Sequence, residues 1–116
     1  MLELKNVSKI FASNKAVNQL SFKVENGKIF GLVGRNGAGK STTFRMILKI
    51  IDPTEGEILY DGKKIAQEEL DKFGYLPEEG SLIPSYTVLE LCEYYGALKL
   101  MDISEIRSKL ISWLER

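Results

Sequence analysis

The chain has 116 residues, 44% hydrophobic and 28% charged, proportions that suit one small soluble domain or part of a larger one. Sixteen basic residues balance sixteen acidic ones, so no global basic field points to nucleic acid or to an anionic membrane. A single cysteine and no histidine exclude an internal disulfide and any two-histidine metal site.

From the N-terminus, "LELKNVSKIF" alternates apolar and polar residues and reads as a half-buried strand. The start has no apolar core of the signal-peptide kind, and no run approaches the roughly 18 apolar residues of a membrane span, so the cytosol is the expected compartment. "NQLSFKVEN" repeats the alternation with Leu20, Phe22 and Val24 on one face. Asn26-Gly27 is a hairpin turn signal. "KIFGLVG" follows, short and continuously apolar, as expected of a strand buried on both faces. Phe44, Ile47, Leu48 and Ile51 then fall on one face of a helix, which Asp52-Pro53 is expected to end.

"TEGEILYDGKKI" reads as two short strands around an Asp61-Gly62 turn. "QEELDKF" suits a short helix and "FGYLP" a short strand closed by Pro77. Thr87 with Glu90, and Asp102 with Glu105, have capping-box spacing and open two helices. Cys92 falls in the apolar run of the first and reads as a packed thiol. In the second, Ile106, Leu110, Trp113 and Leu114 form an apolar stripe, with Trp113 expected in the core of the helix pair.

Gly34-Arg35-Asn36-Gly37-Ala38-Gly39-Lys40-Ser41 fits the phosphate-binding loop pattern G-x-x-x-x-G-K-[ST]. The chemistry accounts for each residue type. Phosphate oxygens need several backbone N–H donors converging on one point, and a chain that wraps so tightly needs residues tolerant of positive φ, here Gly34, Gly37 and Gly39. A helix opening near Gly39 adds its unpaired N–H groups and the positive end of its dipole. Lys40 supplies a flexible cation for the β- and γ-phosphates. Ser41 is placed to ligate Mg²⁺, and Thr42 to bond the α-phosphate.

The flanks of that loop carry a resemblance. "GLVGRNGAGKSTT", "DPTEGEILYDGKKI", "FGYLPEE" and "TVLELCEYYGAL" together resemble the nucleotide-binding domain of ABC (ATP-binding cassette) ATPases. The resemblance runs over essentially the whole chain and implies an α/β fold: a partial P-loop NTPase with an antiparallel β subdomain and the start of a helical subdomain. Residues 1–85 would be the N-terminal part of the ATP-binding core, and residues 86–116 the beginning of the helical subdomain. It also implies ATP and Mg²⁺ as cofactors, bound by Asn36, Gly37, Ala38, Gly39, Lys40, Ser41 and Thr42. Phe11 falls at the family's adenine-stacking position, or packs in the strand region. Val17 is similarly placed for the ribose. Glu78 stands where the family usually carries a glutamine, and its carboxylate would join Ser41 as a metal ligand. Leu82, Ile83 and Tyr86 resemble a surface that docks a transmembrane partner, or close the core under a loop.

A P-loop ATPase also needs a strand-borne aspartate for Mg²⁺ and a group that positions the attacking water. Asp61 is not that aspartate, because it sits at a hairpin tip. No "LSGGQ"-like signature loop and no switch histidine occur in the sequence, so no catalytic residue is assigned. The expectation is the N-terminal portion of the ATP-hydrolysing subunit of an ABC transporter, inactive in isolation. Its partners would be a transmembrane subunit and a second nucleotide-binding domain, at the inner face of the cell membrane, with no role for nucleic acid. A soluble non-transport ABC ATPase and a module that binds nucleotide without turnover stay open as alternatives.

Overall fold

The computed structural model describes residues 1–35, 37–77 and 84–115. It divides into two compact units, Met1–Phe73 and Gly74–Arg116.

The first unit is built on a four-stranded antiparallel sheet. Strands β1 (Leu2–Phe11), β2 (Asn14–Val24), β3 (Glu55–Tyr60) and β4 (Lys63–Lys64) lie in the order β2-β1-β3-β4. Helix α1 (Lys40–Ile47) and the short helix α2 (Gln67–Leu70) complete it. Leu4, Val7 and Val17 from the sheet meet Met46 and Ile47 from α1 in one buried cluster. Burying a side chain of this size contributes about 1.5–3 kcal/mol, so this cluster is what seats α1.

Simple alternation does not put Leu4 and Val7 on one face, since they are three residues apart. The register of β1 against β2 shifts between Leu4 and Val7, and Asn6 sits at φ 49. A bulge of this kind leaves backbone groups unpaired. Here the Asn6 N–H donates to Ser21 Oγ at 2.8 Å, and the Gln19 N–H donates to Ser8 Oγ at 2.8 Å. Opposite the bulge is Gly56, at φ 81, where an added Cβ would overlap the Asn6 carbonyl. A glycine is required there on both counts.

Asp61-Gly62 forms the β3–β4 hairpin as expected. Tyr60 pairs with Lys63, and both turn residues have positive φ, 50 and 77, which is the primed turn a tight hairpin prefers. Asn26-Gly27 also turns, with Gly27 at φ 73 and the Lys28 N–H on the Glu25 carbonyl at 3.3 Å. It does not make a hairpin. Residues 28–34, expected as a buried strand, have no ladder partner among the described residues, and Ile29 and Val33 stand almost fully exposed. A continuous apolar run signals burial on two faces, but a strand forms only where another strand takes up its N–H and C=O groups. "FGYLP" is likewise not a strand, and Tyr75 and Leu76 are exposed.

Helix α1 ends at Ile47, before the expected stop at Asp52. Lys49 adopts φ 57, its N–H bonds the Met46 carbonyl at 3.1 Å, and the Ile50 N–H bonds the Arg45 carbonyl at 2.9 Å. This is a Schellman termination with lysine in the left-handed position where glycine is usual. The exit is then tied to β1: the Thr54 N–H donates to the Ser8 carbonyl at 2.8 Å, and the Ile10 N–H to Thr54 Oγ1 at 3.0 Å.

The second unit holds α3 (Val88–Leu98) and α4 (Ile103–Leu114). Thr87 caps α3, with Oγ1 accepting the Glu90 N–H at 3.1 Å. Asp102 caps α4, accepting from the Ser104 hydroxyl at 2.6 Å and its N–H at 2.8 Å. Those Ser104 bonds, the hydroxyl first, hold the Asp102 carboxyl below the usual carboxylate range. Gly96 on α3 lies directly under Ile106 of α4, and Arg107 Nε pairs with Glu93 at 2.5 Å. Leu91 and Ile106 are buried. Trp113 is not a core residue, for it is 68% exposed. The Cys92 thiol is free and half-buried.

Candidate functional site

The loop between β2 and α1 rests on the sheet where Gly39 meets Ala16, and again where Phe30 stacks on Phe22 at 4.8 Å between ring centroids. An added Cβ on Gly39 would overlap the Ala16 carbonyl oxygen and stand 3.1 Å from Val17 Cγ2. Glycine is therefore needed for this close approach, and its φ of 94 is a second reason. Gly37 is at φ 83, and the Ala38 N–H donates to the Arg35 carbonyl at 3.0 Å. Gly34 differs from expectation. It has no positive φ, and its constraint is space, because an added Cβ would be 3.1 Å from Ala38 Cβ.

Helix α1 opens with Gly39 as its N-cap and no side chain capping it, and no acidic residue lies in its first turn. The first intrahelical bond runs from the Thr43 N–H to the Gly39 carbonyl at 2.9 Å. The N–H groups of Lys40, Ser41 and Thr42 precede that bond, and an uncapped helix start of this kind attracts anions. Thr43 Oγ1 also donates to the Gly39 carbonyl at 2.8 Å, in a buried position. It fixes the joint between loop and helix, a part that the motif pattern did not assign to it. The signal was the second threonine of "GKSTT", one helical turn past the last glycine.

Lys40 arcs back over the loop, and its ammonium donates to the Gly34 carbonyl at 2.6 Å. The motif is thus closed by its own lysine, from its last basic residue to its first glycine. Ser41 is exposed and Thr42 half-buried on the first turn of α1.

Phe11 ends β1 beside a two-residue connection to Asn14, with Ala12 at φ 50. Its ring is 45% exposed, and Lys9 Nζ lies 5.2 Å from the ring centroid. Val17, expected near a ribose, is only 6% exposed and sits in the core cluster under Gly39. Asn36, Glu78, Leu82 and Ile83 lie outside the described residues. Among the described residues, no group of three or more His, Cys, Asp and Glu side chains is gathered as for a metal. No helix among them is long and apolar enough to cross a membrane. Tyr86 is exposed, with its ring edge-to-face against Tyr94 at 6.4 Å between centroids.

The profile of the ABC transporter family matches residues 17–116, which include the whole loop and both helices of the second unit. The chain belongs to the ABC transporter family. Among curated proteins, this ABC chain is 43% identical over 116 residues to the uncharacterised ABC transporter ATP-binding protein YhaQ of Bacillus subtilis, covering 100% of itself and 39% of YhaQ. It is 36% identical over 115 residues to the lipopolysaccharide export system ATP-binding protein LptB of Haemophilus influenzae, covering 95% of itself and 44% of LptB. The chain thus spans about two fifths of the length of these relatives. Among solved structures, it resembles the dimeric, post-hydrolysis state of the ATP-binding cassette MJ0796 bound to ADP and Pi. The TM-score is 0.78 at 29% identity, over 99% of this chain and 56% of that one. The fold is that of part of an ABC ATP-binding cassette, an antiparallel sheet with helices.

Proposed function

We propose that the protein binds ATP with Mg²⁺ as the N-terminal part of the ATP-hydrolysing subunit of an ABC transporter, powering movement of a solute across a membrane. The observation that carries this reading is the loop: two left-handed glycines, an uncapped helix start, and a lysine ammonium turned back 2.6 Å from the Gly34 carbonyl. On their place in the motif Asn36, Gly37, Ala38 and Gly39 would line the β-phosphate, the Ala38 N–H leaving the Arg35 carbonyl to reach it, with Lys40 bridging β and γ and Thr42 on the α-phosphate. Binding exchanges a neutral acceptor of Lys40, the Gly34 carbonyl, for a charged one.

Mg²⁺ keeps several waters and takes one or two protein oxygens besides the phosphates. A site offering the exposed Ser41 hydroxyl and no cluster of described carboxylates fits that ion. Glu78 is the second proposed ligand, on its place in the sequence. When bound, the ion neutralises charge on the phosphate oxygens. The exposed Phe11 ring is proposed as the stacking platform for adenine. The resemblance implies a ribose contact for Val17, whose burial beneath Gly39 favours a role as floor of the loop.

A transmembrane subunit and a second cassette are proposed as partners, on the inner face of the membrane. The dimeric form of MJ0796 and the export-system name of LptB support both. The 116 residues contain no histidine and no signature loop, and we infer that by themselves they hold nucleotide without turning it over.

Lys40→Ala tests the loop. Losing a charge-assisted hydrogen bond of about 1.5–3 kcal/mol should weaken Mg-ATP binding by roughly ten- to a hundredfold in a calorimetric titration. Unchanged affinity would sink the assignment. Phosphate release by the 116-residue chain that vanishes with Lys40→Ala would overturn the inference of binding without turnover.

A further inference from the structure

Phe11 can serve as a platform only if its ring is held. It ends a strand, borders a two-residue turn, and is nearly half exposed. Three contacts hold its neighbourhood. Lys9, two residues earlier and on the same face of β1, reaches across to the segment that leaves α1, where Nζ donates to the Asp52 carbonyl at 2.8 Å. Thr54, two residues further, accepts from the Ile10 N–H and donates to the Ser8 carbonyl. With its ammonium fixed there, Lys9 stands 5.2 Å from the centre of the Phe11 ring, within cation–π range.

We propose that Lys9 is a positioning residue for the nucleobase: pinned by the Asp52 carbonyl, it holds the Phe11 ring from one side so that a purine stacks on the other. This rests on the proposed nucleotide site and names its base-selecting part. The carbonyl matters as much as the ring. A free lysine samples many rotamers, whereas one tied to the exit of α1 keeps its charge in place before ligand arrives. A cation against one face also draws ring electron density towards itself, which favours an electron-rich purine on the opposite face. The base platform is thereby coupled to the helix whose other end bears the phosphate loop.

The test compares ATP with inorganic tripolyphosphate, which carries the phosphates and lacks the base, by calorimetry on the full-length protein with Mg²⁺. Lys9→Met should weaken ATP about two- to fivefold, the size of an exposed cation–π contact, and leave tripolyphosphate unchanged. Lys9→Arg should restore ATP binding. In a Phe11→Ala background, Lys9→Met should have little further effect on ATP. Equal losses for both ligands would mean that Lys9 acts through charge or fold alone, and would overturn the proposal, as would no loss for either. The loop reading is judged separately. Lys40→Ala should weaken both ligands, so a response to Lys40→Ala without one to Lys9→Met rejects Lys9 and keeps the loop.

Discussion

Gly39→Ala separates conformational strain from collision within one loop. Gly37 and Gly39 both have positive φ, 83 and 94. An L-residue in the left-handed region costs about 1–2 kcal/mol, so Gly37→Ala should lose about that much, because nothing lies within 4 Å of its added Cβ. At Gly39 the Cβ also meets the Ala16 carbonyl and Val17 Cγ2. The carbonyl belongs to β2, whose backbone cannot swing aside as a side-chain tip can. Overpacking of this kind costs about 1–3 kcal/mol more, giving about 2–5 kcal/mol in all. At roughly 4 °C per kcal/mol for a chain of this size, Gly37→Ala should lower the thermal midpoint by about 4–8 °C and Gly39→Ala by about 8–20 °C. Mg-ATP titration should show the same order, since lifting the loop from β2 also moves the N–H groups of α1. Equal losses in the two variants, or wild-type behaviour of Gly39→Ala, would refute the claim that the loop is seated on Ala16.

Gly56→Ala should destabilise the first unit more than Gly62→Ala in urea titration, because both glycines are left-handed but only Gly56 abuts the Asn6 backbone; equal losses would remove the role given to the bulge. Thr43→Val keeps shape and deletes the hydroxyl bond to the Gly39 carbonyl, so a loss of about 0.5–1.5 kcal/mol is expected by chemical denaturation, and no loss would show that the joint does not need it. Asp102 has its folded pKa lowered by Ser104, so its stabilising effect is present above the unfolded pKa and fades as pH falls through the lower folded one. Circular dichroism of wild type against Asp102→Ala should show an advantage for wild type at about pH 6 that shrinks below about pH 4; an advantage constant through that range would contradict the capping role.

What the sequence made legible is what short spacing encodes. The loop needs its glycines, lysine and hydroxyls within nine residues, so the pattern at Gly34–Thr42 announced it. Thr87 and Asp102 announced caps two or three residues ahead of the N–H groups they accept from. The Asp61-Gly62 hairpin was as local. Helix ends were harder, because α1 and α3 both close through a non-glycine residue in the left-handed region, Lys49 at φ 57 and Leu100 at φ 59. No glycine marked either one. Apolar content misled at "KIFGLVG" and at Trp113, where hydrophobicity predicts burial but Ile29, Val33 and Trp113 stand largely exposed.

The contrast between Lys40 and Lys9 locates the boundary of such inference. Lys40 acts on a carbonyl six residues away, so its role follows from its place in the motif. Lys9 acts on a carbonyl 43 residues away, and nothing in "VSKIF" separates it from a solvated charge. The same holds for the phosphate and base halves of the proposed site. The first is one continuous segment whose geometry depends on backbone conformation and on the seat of Gly39 on β2. The second exists only because residues 52–54 return to the end of β1, and that return depends on where α1 stops. A helix continuing to Asp52, as its apolar period suggests, would carry the Asp52 carbonyl along the helix axis and away from Lys9. The left-handed turn at Lys49 therefore shapes the proposed base platform as well as ending the helix.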